Sequence, residues 1–404
     1  MKKITKSLRL IVIAAIMFIA TVACFNIDSK AAAPAQVTGL KQTAAGSRNY
    51  TISWNAALGT NIRYKIEESY DAKTWTVASS FTTTTTYTSY GKTAGCTYFV
   101  RVTAYDNTNY GNPVYGAPSA PIAVATAPES SGIKLTQTAG SSSSFSISWN
   151  AASGASGYYV YVNDYYMGFT TSTSCTITKL AADSQYTVKV FPVRVVGNYA
   201  AYYSSGYASA YAYTVMKGSQ FSIDLDSWKP GTNTINLRFT KKSWNNYPAG
   251  LEVALYNTAG KKIKSYYTSS TSASIKNKKI INSACKVRIR PYNLYGGKKC
   301  FGSWSSYKVF VAQPKLNGEQ LDDGRYSVTW KKIKGAKSYT LYKLNGSKLK
   351  KVGTTTNNWF IVGNIKSGNY VAKANKVKVG KKKYSTTLGN SYSYLHVYTT
   401  YSYY

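Results

Sequence analysis

The chain has 404 residues, with 50 Lys and Arg against 14 Asp and Glu, so its formal net charge at pH 7 is +36. Apolar residues make up 44% and charged residues 16%, which supplies enough apolar side chains for buried cores and excludes a highly charged disordered chain. The single histidine, His396, excludes His-rich zinc sites, and the large positive charge indicates anionic surroundings.

Residues 1–31 have the pattern of a secretory signal peptide. Four basic residues precede an apolar run from Leu10 to Phe25, and small residues at 29 and 31 indicate cleavage after Ala31. A lipid-modified Cys24 is one alternative. An uncleaved membrane anchor is another, but the run is shorter than the roughly 20 residues that a spanning helix needs. The sequence thus predicts a secreted, extracellular protein with no transmembrane segment in the mature chain.

The rest of the chain repeats about every 93 residues. The hexapeptide at 52–57, which contains Trp54, recurs unchanged at 147–152 around Trp149. Trp330 and, in a similar alternating pattern, Phe239 supply two further copies, and a fixed period of this kind predicts tandem units. We name the predicted domains unit one (32–128), unit two (129–218), unit three (219–314) and unit four (315–404).

A second anchor in every unit is an alternating strand segment of five residues with a cation at its fourth position. Alternation predicts one buried and one outward face, so the apolar residues point inward and the cations are expected to be solvated. No sustained helical periodicity occurs, which predicts an all-β chain of two-sheet sandwiches. The four segments are 98–102, 186–190, 285–289 and 370–374, their inward residues are Val100, Val188, Val287 and Ala372, and their cations are Arg101, Lys189, Arg288 and Lys373.

These anchors resemble the fibronectin type III domain. The resemblance rests on Pro34 to Leu40 followed by Trp54 and Tyr98 in unit one. It also rests on Leu180 six residues before Tyr186, which is similar to the tyrosine corner of that family. The resemblance implies tandem immunoglobulin-like β-sandwiches, in which the hydroxyl of Tyr186 bonds backbone. Unit three departs from the pattern, because Phe239 replaces the Trp and Cys285 the corner Tyr.

The cysteines predict no disulfide in the mature chain. Once residues 1–31 are removed, only Cys96, Cys175, Cys285 and Cys300 are left, too few for a disulfide scaffold. A hairpin turning at residues 296–297 would place Cys300 opposite residue 293, several residues from Cys285. At about 3.3 Å per residue, that offset exceeds the reach of a disulfide, so four free thiols are expected.

Positive charge is concentrated in the C-terminal half. Units one and two have net charges of +3 and +2, whereas units three and four have +13 and +14. Positive charges at this density repel one another, and an anionic polymer would neutralise them. A solvated surface that keeps the protein soluble is the alternative interpretation. The predicted polyanion-binding residues are Lys286, Arg288 and Arg290 on one strand face, and Lys348, Lys350, Lys351, Lys376, Lys378, Lys381, Lys382 and Lys383 in unit four.

Several anionic polymers fit this charge: teichoic acid, a glycosaminoglycan, anionic lipid or extracellular DNA. Lysine outnumbers arginine in the two basic units, and bidentate recognition of phosphate or bases favours arginine. No nucleic-acid-binding motif is present, so diffuse attraction to teichoic acid or a glycosaminoglycan is favoured over nucleic acid.

Unit two is nearly neutral and rich in tyrosine. Because a strand buries only one face, several of its tyrosines must lie on the outer surface. Two interpretations are open. Tyrosine is a common residue of strands and interfaces and could have a purely structural role, or the outward rings could form a stacking surface for sugar rings. A glycan is therefore the second ligand class. The tyrosines are Tyr158, Tyr159, Tyr161, Tyr165, Tyr166, Tyr186, Tyr199, Tyr202, Tyr203, Tyr207, Tyr211 and Tyr213.

The sequence contains no catalytic or cofactor-binding motif. Three pairs of neighbouring acids occur, at 67–68, 224 with 226, and 322–323, and they are expected to be turn caps or solvated loop residues. The prediction is a non-enzymatic, cofactor-free, cell-surface-associated adhesion or binding protein. In this prediction the basic C-terminal units hold an anionic polymer and the N-terminal units present a contact surface. A carbohydrate-recognition or spacer protein that uses exposed tyrosine faces is the alternative.

Overall fold

A computed structural model describes residues 32–109, 111–242, 248–363 and 365–398. These residues form short β-strands and two 3-10 turns, which confirms the predicted all-β class. The strands assemble into four successive pairs of sheets, and each pair lies inside one sequence unit, although the unit boundaries themselves stay predictions. The predicted signal peptide and the candidate lipidation site at Cys24 lie outside the described residues.

Unit one is a sandwich of a three-stranded and a five-stranded antiparallel sheet, with strand orders β1-β2-β5 and β4-β3-β6-β7, and with β8 also paired to β6. Alternation along β6 places Val100 and Val102 in the core, both fully buried. The strands are β1 (Lys41–Ala45), β2 (Asn49–Ser53), β3 (Ile62–Ser69), β4 (Thr76–Thr82), β5 (Thr86–Tyr90), β6 (Thr97–Asp106), β7 (Val114–Tyr115) and β8 (Ile122–Ala125).

Unit two repeats this arrangement with the sheets β13-β10-β9 and β12-β11-β14-β15, where β16 also pairs with β14. Phe145, Ile147 and Val188 are fully buried between the sheets. The strands are β9 (Leu135–Gly140), β10 (Phe145–Trp149), β11 (Gly157–Val162), β12 (Tyr165–Thr170), β13 (Ser174–Ile177), β14 (Gln185–Val196), β15 (Tyr199–Ala201) and β16 (Ala208–Tyr213).

Unit three keeps the same strand order despite its divergent anchors. Phe239 and Cys285 are both buried, so each fills the core position predicted for the Trp or Tyr that it replaces. The 3-10 turns are Gly218–Gln220 and Lys278–Ile280. The strands are β17 (Phe221–Ser227), β18 (Thr234–Lys241), β19 (Gly250–Tyr256), β20 (Lys262–Thr268), β21 (Ser272–Lys276), β22 (Ala284–Tyr295), β23 (Lys298–Phe301) and β24 (Lys308–Val311).

Unit four differs in one respect: its last hairpin leaves the main sheet. The sheets have the orders β25-β26-β29 and β28-β27-β30-β33, and β31 pairs only with β32. The strands are β25 (Leu316–Gln320), β26 (Tyr326–Trp330), β27 (Ser338–Asn345), β28 (Lys348–Thr355), β29 (Trp359–Val362), β30 (Gly368–Asn375), β31 (Val377–Val379), β32 (Lys382–Tyr384) and β33 (Leu395–Val397).

The repeated tryptophans form a common core motif. Trp54, Trp149 and Trp330 are 3–5% exposed, and each packs against a tyrosine of the facing sheet at 5.3–5.4 Å between ring centroids. That tyrosine also accepts a 3.0 Å hydrogen bond from the backbone N–H of a residue shortly after the tryptophan. These tyrosines, whose role in the core the sequence did not indicate, are Tyr64, Tyr158 and Tyr339.

The tyrosine corner is confirmed. The hydroxyl of Tyr186 accepts a 2.9 Å hydrogen bond from the backbone N–H of Ala181, and that of Tyr98 accepts one from Thr93. In unit four the hydroxyl of Tyr370 donates to the carbonyl of Lys366 at 2.7 Å. Each bond fixes the loop that leads into the long central strand.

The four units are in direct contact. Gly154 and Gly95 meet so closely that a Cβ on Gly154 would lie 2.2 Å from the carbonyl oxygen of Gly95, and the Arg194 guanidinium donates to Thr97. Between units two and three, the N–H of Gly218 donates to the carbonyl of Ser303 at 2.8 Å. The buried cores of units one and two are separate, whereas those of units three and four form one continuous cluster.

Candidate functional site: a basic junction between two sandwiches

The outer face of β22 carries the predicted cations, but they are not freely solvated. Lys286, Arg288 and Arg290 alternate with buried residues, as expected, and all three are half-buried. The guanidinium of Arg288 stacks on Trp304 at 4.4 Å, and that of Arg290 stacks on Phe301 at 3.8 Å. The expectation of a solvated cation is therefore wrong here, because aromatic residues downstream of the strand cover the charged face.

The other units show the same covering of the central cation. Arg101 lies 4.4 Å from the Trp75 ring and pairs with Glu67 at 2.9 Å. Lys189 lies 4.7 Å from the Tyr207 ring, and Lys373 lies 5.6 Å from that of Tyr342. A cation placed over an aromatic face is stabilised by the negative potential of the ring, so these residues contribute to the sandwich as well as to its charge.

A buried carboxylate compensates Arg290. Glu252, on β19, pairs with Arg290 at 2.7 Å and accepts a hydrogen bond from Ser265. Burial acts to raise the pKa of Glu252, but the hydrogen bonds from Ser265 and Arg290 and the nearby charges of Arg290 and Lys262 outweigh it, so the pKa lies below its ordinary value. Glu252 thus neutralises Arg290 within the protein, so Arg290 is less available to a ligand than predicted.

Lys286 has a different environment from the two arginines. Its ammonium lies 5.7 Å from the Tyr307 ring, and none of the ion pairs among the described residues includes it. Positions for a Cβ on Gly260 and on Gly380 lie 3.7 and 3.8 Å from the Lys286 Nζ. Gly260 belongs to the β19–β20 loop of unit three and Gly380 to the β31–β32 turn of unit four, so both units surround this ammonium.

The β31–β32 hairpin is held against unit three by its apolar side. Lys376, just before β31, has a positive φ of 54°, which breaks the line of β30 and redirects the chain. Val377 and Val379 are then buried in the shared core, while five hairpin lysines are exposed. Those hairpin lysines are Lys376, Lys378, Lys381, Lys382 and Lys383.

The segment after the hairpin strengthens this placement. The hydroxyl of Thr386 donates to the Ala312 carbonyl at 3.1 Å and accepts from the Ala374 N–H at 2.8 Å. The N–H of Ser391 donates to the carbonyl of Asp226 at 3.1 Å. Backbone and side-chain bonds therefore join unit four to both edges of unit three, and they fix the turn that carries Lys381.

The remaining predicted lysines lie elsewhere. Lys348, Lys350 and Lys351 are exposed on β28, the edge strand of the main sheet of unit four. Lys348 is opposite Asn345, whereas the hairpin follows the strand end at Asn375, opposite Ser338. Seven residues separate these two positions along β27, or about 23 Å at strand spacing. The structure brings Lys286 together with the hairpin, and it leaves the β28 lysines at the other end of the sheet.

Unit two presents a continuous aromatic surface on the outside of its five-stranded sheet. Tyr159 contacts three other rings at centroid distances of 5.2–5.7 Å, and Phe191 contacts three at 5.1–6.2 Å, with the Tyr202 ring common to both. Tyr165 is 76% exposed and Tyr211 61%. The prediction of outward tyrosines is confirmed. The aromatic surface comprises Tyr159, Tyr161, Tyr165, Tyr166, Phe169, Phe191, Tyr202, Tyr203, Tyr207 and Tyr211.

The acidic pairs form no catalytic pair among the described residues. Glu67 and Glu68 lie on β3 and are buried, so the expectation that they occupy turns is wrong. Each is consumed by ion pairs, Glu68 with Lys92 and Glu67 with Arg101. Asp323 pairs with Arg325 in an exposed turn, as expected. No group of His, Cys, Asp and Glu in the described part of the chain has the geometry of a metal site.

The cysteines and the histidine behave as the sequence indicated. Cys96, Cys175, Cys285 and Cys300 are free, and Cys300 pairs across the hairpin with Asn293. Burial raises the pKa of the Cys285 thiol to about 12, which keeps it protonated and unreactive. His396 contacts Asn369 on the exposed side of β33.

Among the described residues, no helix is long and apolar enough to cross a membrane.

Comparison with known proteins finds one family match, in unit two, and similar solved structures. The fibronectin type III domain family matches residues 126–204, which span most of unit two. Two chicken structures are similar: the FN1–FN3 domains of CNTN1 (14% identity, TM-score 0.27, 69% of this chain and 99% of that one) and a two-domain fibronectin type III segment of tenascin (15%, 0.25, 44% and 99%). No curated protein matches. The predicted resemblance is thus supported by a direct sequence match in unit two.

Proposed function

We propose that this chain is a secreted, non-enzymatic binding protein whose C-terminal half attaches to an anionic polymer of a cell surface or extracellular matrix. The observation that carries the proposal is the hairpin of unit four. Its five exposed lysines form no ion pair with any described residue, and the turn of the hairpin at Gly380 lies beside Lys286. Teichoic acid and glycosaminoglycans have the repeated negative charge that such a surface would bind.

The experiment compares two variants of the mature full-length chain with the same change in charge. One replaces the five hairpin lysines with glutamine. The matched control replaces five exposed lysines of the N-terminal half, Lys41, Lys73, Lys134, Lys179 and Lys217. Both are titrated with heparin and with teichoic acid over a series of salt concentrations.

Counterion release predicts that log K falls linearly with log salt, with a slope of about 0.7 per phosphate contacted in a single strand. Loss of the hairpin lysines is expected to weaken binding at least tenfold and to flatten the slope by about 3. The control variant should keep the wild-type slope. Equal losses in the two variants would contradict the proposal, because binding would then follow net charge alone.

The aromatic surface of unit two supports a second candidate, recognition of a neutral glycan. Its rings offer apolar faces for sugar C–H groups and hydroxyls at their rims, and exposed aromatic patches often mark binding sites. Its Lys189 is neutralised by Asp164 at 2.6 Å, so binding there should be insensitive to salt. The test is a glycan array with Tyr165→Ser and Tyr211→Ser. The control is Tyr90→Ser, a 73% exposed tyrosine of unit one.

A further inference from the structure

The site around Lys286 is composed of parts from two units. Lys286 comes from β22 of unit three, and its Nζ is flanked by the Gly260 loop of the same unit and the Gly380 turn of unit four. Lys261 and Lys381 immediately follow these two glycines and are both exposed. Lys286 and the two turns that carry Lys261 and Lys381 therefore meet at the junction, and we call Lys261, Lys286 and Lys381 the junction lysines.

The junction lysines have no counter-charge among the described residues. None of them takes part in an ion pair, and the buried carboxylate on the same sheet, Glu252, is already shared by Lys262 and Arg290. Like charges on neighbouring segments repel each other, and a half-buried ammonium over Tyr307 has lost part of its hydration. A bound anion would relieve both costs, since it would be attracted to all three cations at once.

The interface does not allow the three segments to move apart freely. Val377 and Val379 anchor the hairpin in the core that units three and four share, and the N–H of Lys334 donates to the Asn282 carbonyl across the junction at 2.8 Å. The positions of Gly260 and Gly380 both have positive φ, so glycine fits these two turns. The site is thus preorganised, which lowers the entropic cost of binding.

We propose that the junction lysines form one composite site that binds consecutive anionic groups of a single polymer chain, bridging units three and four. The inference rests on the proposed function and names the place where the polymer is bound. The ligand chemistry is a flexible chain of phosphate or sulfate groups. Lysine suits this class, because it offers a compact point charge and does not require the planar geometry that arginine recognises.

The test uses amine footprinting on the mature full-length chain. Lysines are acetylated in the presence of a short probe, either heparin tetrasaccharide or a short glycerol-phosphate oligomer, and the rates are read by mass spectrometry. The two probes distinguish a sulfated from a phosphodiester source. Both Lys286 and Lys381 are expected to be protected together at least threefold. Lys298, which lies opposite Tyr295 and so about 30 Å along β22 from Lys286, should be unaffected.

Variants provide the second measurement. Lys286→Gln and Lys381→Gln are each expected to weaken binding of the short probe three- to tenfold. Each should also reduce the slope of log K against log salt by the amount that corresponds to one lost contact. The control Lys298→Gln removes the same charge from the same sheet and should change affinity less than twofold.

The outcomes separate this inference from the proposed function. Strong, salt-dependent binding of long polymer with no protection of Lys286 or Lys381 would overturn the composite site and leave the proposed function standing. Protection of Lys381 alone would also overturn it, since the site requires both units. Failure of every anionic probe to bind would overturn the proposed function, and the composite site with it.

Discussion

At the scale of single residues, tyrosine hydroxyl groups bond the backbone of loops, and buried carboxylates neutralise neighbouring cations. The sequence indicated Tyr186 as a corner residue, and its hydroxyl does bond backbone. It did not indicate that Tyr64, Tyr158 and Tyr339 are the partners of the core tryptophans, although each lies nine or ten residues beyond its tryptophan. That signal is weak in a chain with 39 tyrosines, because most of them occur in strands for other reasons.

Removal of the corner hydroxyl should loosen one loop of unit two. Tyr186→Phe deletes the acceptor for the Ala181 N–H, and a hydrogen bond of this kind contributes about 1 kcal/mol. Hydrogen exchange at residue 181 is therefore expected to be about fivefold faster. Tyr211→Phe, at an exposed position of the same unit, is the control. Unchanged exchange in Tyr186→Phe would contradict the role of the corner.

Glu252 should make the basic half sensitive to acid. Its pKa is held below the ordinary value in the folded state, so it contributes stability above the unfolded pKa, and that contribution is lost as pH falls through the folded pKa. Glu252→Gln is expected to lower the free energy of unfolding by about 2 kcal/mol at pH 7, since Arg290 loses its partner but keeps partial access to water.

The measurement is the urea midpoint between pH 7 and pH 3. The wild-type midpoint should fall more than that of Glu252→Gln over this interval. Glu319→Gln, at an exposed position on β25, should reproduce the wild-type profile. A Glu252→Gln variant whose midpoint falls as steeply as wild type would assign the acid sensitivity to other groups.

At the scale of elements, the sequence predicted the alternating faces of β22, but it did not predict the aromatic residues that cover the outer face. The sequence pattern placed Arg288 and Arg290 on the outer face, as the structure has them. Their stacking on Trp304 depends on the path of the chain after β23, which no local pattern records. In the same way, the sequence showed the lysines of the β31–β32 hairpin but not the direction of the hairpin. The hairpin points toward unit three because Lys376 has a left-handed backbone conformation and because the hairpin packs against distant residues.

The ring of Trp304 should stabilise unit three through the two arginines. Trp304→Leu keeps an apolar side chain but removes the aromatic face that lies 4.4 Å from Arg288 and 4.5 Å from Arg290. Cation–π contacts contribute about 0.5–1 kcal/mol each at partly exposed sites, so a loss of about 1–2 kcal/mol is expected by urea unfolding. Trp359→Leu, a 45% exposed tryptophan on β29, is the control. Equal effects of the two substitutions would argue against a stabilising role for the contacts of Trp304 with Arg288 and Arg290.

At the scale of the whole molecule, the cores divide the chain into three stability units and not four. Units one and two have cores of their own, whereas the core of units three and four is continuous through residues such as Phe310 and Val377. The repeat period predicted four similar units. It could not predict the fusion, because a repeated pattern does not record which side chains pack across a unit boundary.

Units three and four should accordingly unfold together. Phe310→Ala removes a fully buried ring, which typically costs about 3–5 kcal/mol, and it should lower the melting temperature of both units. Phe145→Ala, in the separate core of unit two, should leave them unchanged. Calorimetry combined with hydrogen exchange of peptides from β26 and β30 reads this directly. Persistent protection of β30 in Phe310→Ala, after unit three has opened, would show independent folding.

The most direct test of the central claim is salt-dependent retention of the two halves on anionic polymer. Residues 214–404 retain Met216 and Gly218, which pack on unit three, and residues 32–218 are the nearly neutral counterpart. We expect the basic half to be retained on heparin and teichoic acid and to be released steeply as salt rises, while the other half elutes at low salt. Equal retention of the two halves, or retention that does not change with salt, would contradict it.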